Sequence, residues 1–207
     1  VHRPLVGRHV GHVLTTEQDA ALGRRLEAGQ HAQQRGLAAA RTAQQGEDLA
    51  LADGQRDLVD SHRLVEGRAL VLGGVLIPFE KGLLGHSDAD VLLHSLGDAI
   101  LGAMAAGDLG SHFPDTDAQW KGASSMDLLG LIRDMMTAKG FTLNNVDCSI
   151  VLEEPRLKNH IPFMVRNIER LFAMQQDRVS IKAKTNEKMG FVGRAEGIAA
   201  YCVVTLA

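Results

Sequence analysis

Asp60, His62 and His94 are the residues whose types and spacing point most directly to a metal ion. Asp60 and His62 stand two positions apart, so on an extended segment their side chains project from the same side. His94, from a helix, would complete a three-ligand site with one open position for water or a substrate oxygen, which is the arrangement of catalytic zinc. Because Asp-x-His also occurs by accident, the alternative is a loop histidine and a histidine on a helix surface.

Two acidic residues flank His94 at helical spacing. Asp90, His94 and Asp98 lie one helical turn apart from each other, so on a helix they form a polar stripe. Carboxylates commonly hold the second ring nitrogen of a metal-bound histidine. We therefore expect Asp90 and Asp98 to orient the imidazole of His94.

The residues just before this helix are suited to an anion. Gly85, His86, Ser87 and Asp88 precede it, and the free N–H groups and dipole of a helix N-terminus favour negative charge. Ser87 followed three residues later by Asp90 also fits a capping box. The sequence leaves open whether this segment binds an anion or is only a helix cap.

A turn-rich loop, residues 107–117, follows the same helix. It carries the carboxylates of Asp108, Asp115 and Asp117. Such a loop could hold a ribose or a divalent cation, although a solvated polar loop has the same composition.

A short charged segment, residues 153–158, comes just after a predicted strand. Ligands gather at the carboxyl ends of strands in α/β sheets, and Arg156 and Lys158 could face a phosphate. An exposed charged loop is the alternative.

The last polar segment, residues 182–197, runs from a strand into a loop with spaced glycines. It lacks the P-loop pattern, but its hydroxyl, amide, carboxylate and guanidinium groups could still cradle phosphates. Alternatively, Arg194 and Glu196 form a structural pair under a turn.

The elements that must position these residues belong to an α/β domain. Two short β-type runs around Gly73-Gly74 predict a hairpin. The order of elements is ββ-α-α-β-α-β-β. Capping residues and apolar periodicity predict helices over residues 87–106, 124–139 and 162–174, and strands over 146–152, 179–183 and 198–206.

Composition excludes several classes of protein. The net charge of −3 gives no broad basic surface, so no nucleic-acid partner is expected. The longest nearly uncharged apolar stretch, around residues 71–79, is far shorter than the roughly 20 residues of a membrane span, so no membrane partner is expected. Cys148 and Cys202 each lie in an alternating apolar run and are predicted to be reduced core residues of a cytoplasmic protein.

Residues 1–59 differ in composition from the rest of the chain. They contain no Ile and no aromatic residue, so they cannot build much core. The candidate explanations are a non-native or mis-framed extension, a loosely helical tail centred on residues 17–43, and a functional module. We expect an extension over residues 1–59 and a separate domain over residues 60–207.

Residues 60–207 resemble the 2-C-methyl-D-erythritol 2,4-cyclodiphosphate synthase family of the non-mevalonate isoprenoid pathway. The stretches that carry the resemblance, in the order and spacing of the family, are residues 60–64, 72–78, 82–94, 107–117, 121–123, 179–187 and 190–197. The resemblance implies a two-layer α/β (α+β) subunit with a mixed sheet on one side and helices on the other. It also implies a homotrimer with three active sites between adjacent subunits.

The reaction implied by the resemblance is an intramolecular phosphoryl transfer. The 2-phosphate of 4-diphosphocytidyl-2-C-methyl-D-erythritol 2-phosphate attacks the β-phosphate of the same molecule, which yields the cyclic diphosphate and CMP in a lyase-type cyclisation. A zinc-dependent phosphoesterase, with water as the attacking group, is one alternative function. A non-catalytic or impaired relative is the other.

The resemblance also implies site residues by position. Zinc would be held by Asp60, His62 and His94, and a second divalent cation, magnesium or manganese, by Glu187. His86 and Thr185 would act on the reacting phosphates as catalytic residues. The substrate would be contacted by Ser87, Asp108, Leu109, Gly110, Phe113, Pro114, Asp115, Asp117, Leu152, Glu153, Glu154, Pro155, Arg156, Leu157, Lys158, Lys184, Asn186, Phe191 and Arg194.

The chain departs from the family pattern just before Asp60. The family usually has a strand ending in Gly-x-Gly-Phe there, whereas residues 56–59 read Arg-Asp-Leu-Val. We therefore expect the strand that carries the zinc ligands to be altered or missing. Smaller departures are Lys184 and Asn186, where Thr is common, and Arg156, where Lys is common.

Overall fold

The computed structural model describes residues 59–207. The strands of this part are β1 Val59–Glu66, β2 Leu70–Leu72, β3 Val75–Ile77, β4 Lys81–Leu83, β5 Leu143–Val151, β6 Val179–Lys184 and β7 Gly197–Leu206. The helices are α1 Val91–Ala103, α2 Leu109–His112, α3 Ser125–Ala138, α4 Ile161–Leu171 and α5 Gly190–Gly193, with a 3₁₀ turn at Ala118–Trp120.

β1 is present as a strand of a mixed sheet, so the expectation that it is missing is wrong. Residues 56–58, where the chain departs from the family pattern, lie outside the described residues. The five-stranded sheet has the order β4-β1-β7-β5-β6. β1 runs antiparallel to β4 and β7, and β5 runs parallel to β6. Asp60 lies opposite Ala200 and His62 opposite Ile198 on β7. The backbone of β7 therefore holds the segment with the two candidate ligands.

The core lies between the sheet and α1. Leu92, Leu96 and Ile100 are fully buried, because their spacing places them on one face of the helix. This face packs on β7, and α3 packs on the other side of α1. Truncating one of these leucines to alanine would cost about 2–5 kcal/mol. The packing fixes the helix that carries His94 relative to the strand that carries Asp60.

α1 begins later than the sequence predicts. Its first residue is Val91 and its N-cap is Asp90, whose side chain accepts a hydrogen bond from Leu93 N. Ala89 has a φ of 59°, a left-handed conformation that ends a helix on its N-terminal side. The predicted capping box from Ser87 is therefore wrong, and Ser87 Oγ accepts instead from Ala89 N.

Most longer elements match the prediction. The β2–β3 hairpin turns at Gly73 and Gly74, which both have positive φ, as a tight hairpin turn requires. Ser124 caps α3. The third predicted helix ends at Leu171 rather than near Met174, where Ala173 takes a positive φ. The sequence did not reveal β4 or the short helices, because segments of three or four residues show no periodicity.

No helix in the described part of the chain has both the length and the apolar character needed to cross a membrane. The predicted helical tail over residues 17–43 lies outside the described residues.

The two cysteines form a disulfide, so the prediction of separate reduced thiols is wrong. Cys148 on β5 and Cys202 on β7 lie directly opposite each other in the antiparallel pair and are bonded. Both are fully buried, as expected. The strand register brings together two residues that lie 54 positions apart in sequence, and no local pattern could indicate this pairing.

The close approach of β7 to β1 at Gly197 gives a test of the fold. A Cβ on Gly197 would lie 2.7 Å from the His62 carbonyl oxygen and 3.2 Å from the Phe191 ring. We expect Gly197→Ala to lower the free energy of unfolding by about 1–3 kcal/mol through overpacking. Thermal unfolding followed by circular dichroism measures this loss.

Gly102→Ala is the matched control. A Cβ there meets nothing within 4 Å, and alanine is the better helix former by about 1 kcal/mol. This variant should therefore unfold at a slightly higher temperature. A Gly197→Ala protein as stable as the parent would show that β1 and β7 do not pack as described.

Candidate metal centre

Three ligand atoms from β1 and α1 converge at one point. Asp60 Oδ2 lies 3.0 Å from His62 Nε2 and 3.3 Å from His94 Nδ1. The two imidazole nitrogens are 3.1 Å apart. Among the described residues, this is the one group of three or more His, Cys, Asp or Glu side chains suited to hold a metal ion. The structure therefore brings together the three residues predicted as zinc ligands.

The far nitrogen of His62 has a fixed partner. His62 Nδ1 lies 2.8 Å from the Leu84 carbonyl oxygen, which can only accept a hydrogen bond. Nδ1 must therefore carry the proton. In the neutral ring this leaves a lone pair on Nε2, the atom that faces Asp60 and His94.

Hydroxyl groups, rather than the predicted carboxylates, hold the far nitrogen of His94. His94 Nε2 lies 3.0 Å from Ser125 Oγ and 3.2 Å from Ser87 Oγ. Asp90 is fully buried and accepts from the backbone N–H groups of Gly74 and Leu93.

The carboxylate of Asp98, the other acid predicted to orient His94, accepts from Leu109 N. The prediction that Asp90 and Asp98 orient the imidazole is therefore wrong, because backbone donors that are distant in sequence occupy these acids. Their observed contacts anchor the β2–β3 hairpin and the loop after α1.

The charges of the cluster are strongly coupled. Burial opposes ionisation of Asp60, but hydrogen bonds from His62 and His94 hold its pKa well below the ordinary value. Burial also opposes protonation of His62, yet the Asp60 carboxylate outweighs it and raises the pKa of His62 above the ordinary value. The cluster thus attracts positive charge.

This donor set fits a divalent transition metal. Two neutral imidazoles and one carboxylate are ligands typical of zinc. The Leu84 carbonyl at the far nitrogen of His62 directs its lone pair inward, and two hydroxyl groups lie at the far nitrogen of His94. A proton between Asp60 and His62 can partly replace the charge of a cation, which agrees with the raised pKa of His62.

A cavity of about 270 Å³ adjoins the two histidines of the cluster. It includes seven residues that the sequence assigned to the site: His62, His86, Ser87, His94, Leu109, Phe113 and Asp115. Gly85, from the segment that the sequence left open as an anion site, also lines it, and so do Trp120 and Leu128, which were not predicted. Trp120 packs edge-to-face on Phe113, with ring centroids 5.1 Å apart. Trp120 is the only tryptophan of the chain. This rarity was the only feature of the local sequence that could have pointed to Trp120 as a cavity residue.

Some of the carboxylates in the loop at residues 107–117 stabilise the loop itself. The Asp108 carboxylate caps α2, and that of Asp117 caps the following 3₁₀ turn. The Asp117 carbonyl oxygen lies 3.3 Å from His86 Nε2. Gly110 and Pro114 belong to the loop but do not line the cavity. The roles predicted for these four residues in substrate binding stay predictions.

The other predicted substrate residues lie at the carboxyl ends of β5 and β6. Leu152 N donates to the Lys184 carbonyl oxygen. Glu153 Oε1 accepts from Asn186 N and Lys188 N, at 2.9 and 3.2 Å. These bonds join two loops that the sequence predicted to contact the substrate.

The residues of the first of these loops, 152–158, differ in how exposed their side chains are. Leu152 and Leu157 are core residues, 4% and 2% exposed, so their side chains cannot contact a ligand and only their backbones could. Glu154, Arg156 and Lys158 are exposed, and Pro155 is half-buried.

The loop after β6 contains its own pairs. The Thr185 hydroxyl donates to Glu187 Oε1. Arg194 donates to both carboxylate oxygens of Glu196, at 2.8 and 3.0 Å. The structural pair that the sequence left open for Arg194 is thus present, and its role toward phosphate stays a prediction. The ring of Phe191 faces Gly197.

Glu187 is not part of the three-residue cluster. It follows β6, whereas Asp60 and His62 are on β1, and β7 and β5 lie between these strands. Within one chain the predicted second-metal residue thus belongs to the β5–β6 end of the sheet.

The raised pKa of His62 predicts a pH dependence of metal affinity. In the metal-free protein this ring keeps its proton at a higher pH than a free histidine does, and a metal must displace that proton. Zinc affinity should therefore fall as the pH drops from about 8 to about 6, by up to tenfold per unit for one displaced proton. Competition with a coloured chelator at several pH values measures this. An affinity that stays constant over this range would contradict the assignment.

Comparison with known proteins identifies the family of this chain. The sequence model of the YgbB family matches residues 58–207. Proteins named 2-C-methyl-D-erythritol 2,4-cyclodiphosphate synthase from Geotalea uraniireducens and Geobacter sulfurreducens are each 56% identical over 147 residues, which is 71% of this chain and 94% of theirs. A solved synthase described as bound to CDP is 40% identical with a TM-score of 0.66, and the match covers 72% of this chain and 97% of that one. The chain therefore belongs to the YgbB family.

Proposed function

We propose that this chain converts 4-diphosphocytidyl-2-C-methyl-D-erythritol 2-phosphate into 2-C-methyl-D-erythritol 2,4-cyclodiphosphate and CMP. The support is the named activity of relatives that match over 94% of their length. The observation that carries the proposal is the Asp60, His62 and His94 cluster beside a cavity. Family membership alone would not require these three side chains to converge in this particular chain.

The proposed reaction forms one P–O bond and breaks another. An oxygen of the 2-phosphate attacks the β-phosphorus, and the bond from this phosphorus to the oxygen shared with the α-phosphate breaks, so CMP leaves with that oxygen. Two anionic groups must approach each other, so their charge must be neutralised and their geometry fixed. A bound zinc ion would supply Lewis-acid polarisation and a template.

We assign the residues by their position around the cavity. Asp60, His62 and His94 would hold the zinc. His86 and Ser87 line the cavity next to the cluster, where a ring N–H and a hydroxyl could hold phosphate oxygens. Leu109, Phe113 and Asp115 would contact the methylerythritol part.

The β5–β6 end would bind the nucleotide and the second cation. The structure described as bound to CDP supports a cytidine nucleotide as ligand. Glu187 would hold magnesium or manganese, with the Thr185 hydroxyl beside it. The bonds from Glu153 to Asn186 N and Lys188 N fix this loop, so the pocket would be formed before the substrate arrives.

We propose a homotrimer in which each active site is shared by two chains. Two strands separate the metal cluster from the nucleotide end within one chain, and a neighbouring chain could bring the two together. The outer face of the sheet carries Val59 and Val203, which are 40% and 59% exposed, beside the half-buried Tyr201. A second copy would cover this apolar face.

In this proposal residues 60–207 form the catalytic domain, and residues 1–59 are an extension of unknown role. We also propose a cytoplasmic location for this biosynthetic enzyme.

Complementation between two inactive variants tests both the activity and the shared site. Asp60→Ala removes a metal ligand, and Thr185→Ala alters the nucleotide end. Each should abolish CMP release when assembled alone. Co-expressed with two different tags and purified through both, the mixed trimers should recover roughly a third of the parent activity, since one site in three combines two intact halves.

Asp134→Ala is the control, because Asp134 is exposed and pairs only locally with Arg133; it should keep full turnover. Absence of CMP release by the parent chain with zinc and magnesium would contradict the activity. Release of CMP with a ring-opened product would instead indicate a phosphoesterase. Mixed trimers without activity would place both halves of the site in one chain.

A further inference from the structure

A buried serine outside the three-residue cluster contacts one of its imidazoles. Ser125 is the first residue of α3 and is 2% exposed. Its Oγ lies 3.0 Å from His94 Nε2, on the side of the ring away from Asp60 and His62. The same hydroxyl also contacts Asp88 Oδ1, and Ser125 N donates to Asp88 Oδ2 at 3.1 Å. Asp88, Ser125 and His94 thus form a hydrogen-bonded chain.

The direction of each bond in this chain follows from the available protons. An ionised carboxylate only accepts, so the single hydroxyl proton of Ser125 must point to Asp88. Ser125 Oγ then has only lone pairs to offer His94. The proton between them must therefore belong to His94 Nε2.

This assignment fixes the tautomer of His94. With the proton on Nε2, the neutral ring has its lone pair on Nδ1, the atom that lies 3.1 Å from His62 Nε2 and 3.3 Å from Asp60 Oδ2. We propose that Ser125, held by Asp88, is a positioning residue that directs the Nδ1 lone pair of His94 into the metal site. Ser87 Oγ, at 3.2 Å from the same nitrogen, accepts from Ala89 N and adds a weaker second contact.

The chain also connects three segments that are distant in sequence. Asp88 belongs to the loop before α1, His94 to α1 and Ser125 to α3. The backbone joins the same segments, since Asp88 N donates to the Ala123 carbonyl oxygen at 3.0 Å. Ser125 and Asp88 therefore act on His94 as the Leu84 carbonyl acts on His62, and each histidine has its own orienting partner.

The inference rests on the metal site of the proposed function, but its test does not use turnover. Loss of the hydroxyl should leave His94 free to turn or to change tautomer. Groups that orient metal-bound histidines typically contribute 10–100-fold in metal affinity. We therefore expect Ser125→Ala to weaken zinc binding by about 10–100-fold, measured by competition with a coloured chelator.

Ser124→Ala is the matched control. Ser124 is the adjacent serine and caps the same helix, but its hydroxyl oxygen accepts a hydrogen bond from Met126 N and is not a partner of His94. It should lower the thermal midpoint of the metal-free protein and keep the zinc affinity. Ser125→Thr, which retains a hydroxyl, should restore affinity toward that of the parent. Equal affinity losses in Ser124→Ala and Ser125→Ala, or no loss in Ser125→Ala, would overturn the proposal.

A measurement on the unmodified chain keeps the inference testable if Ser125→Ala does not fold. The imidazole ¹⁵N spectrum of the zinc-loaded protein should show His94 with a protonated Nε2 and a metal-bound Nδ1. A protonated Nδ1 with zinc on Nε2 would overturn the assignment. If the chain did not catalyse the proposed reaction, the expected zinc affinities and ¹⁵N spectrum would be the same. Each of the two proposals can therefore be contradicted without the other.

Discussion

Two imidazoles and one carboxylate are held with their ligand atoms about 3 Å apart, and the rest of the site depends on this convergence. Three electron-pair donors at such a distance repel each other unless positive charge lies among them. A proton meets this need in part, which is why Asp60 raises the pKa of His62. A divalent cation supplies this positive charge fully. In the proposed reaction it would also reduce the electrostatic repulsion between the two reacting phosphates.

The fold keeps the donors together by fixing the backbone on both sides. β7 holds β1 in register at Asp60 and His62, and the close contact at Gly197 leaves no room for a side chain between the strands. The apolar face of α1 packs on β7 and so sets the position of His94. Each histidine then has a separate partner at its far nitrogen. A sheet, a helix and the hydrogen bonds at the two far nitrogens therefore position the cluster together.

Sequence reasoning was most successful where the residues that act together lie only a few positions apart in the sequence. The apolar stripe of α1 predicted the helix, and the i, i+2 relation of Asp60 and His62 indicated a metal cluster as one of two alternatives. The family resemblance then selected the cluster. Sequence reasoning failed where the answer depended on contacts between distant segments. The start of α1 is set by the left-handed Ala89, and the acids beside His94 bond to the backbone of a hairpin and a loop. The pairing of Cys148 with Cys202 follows from strand register, and Ser125 reaches His94 only through the packing of α3 on α1.

Zinc content and ligand type in the purified full-length chain test the central claim most directly. After zinc addition and desalting, elemental analysis with X-ray absorption at the zinc edge should give about one zinc per chain, with two imidazole nitrogens and carboxylate oxygen as ligands. Sulfur in the coordination shell, or no retained zinc, would contradict the account. Either result would mean that the convergence of Asp60, His62 and His94 does not bind the metal.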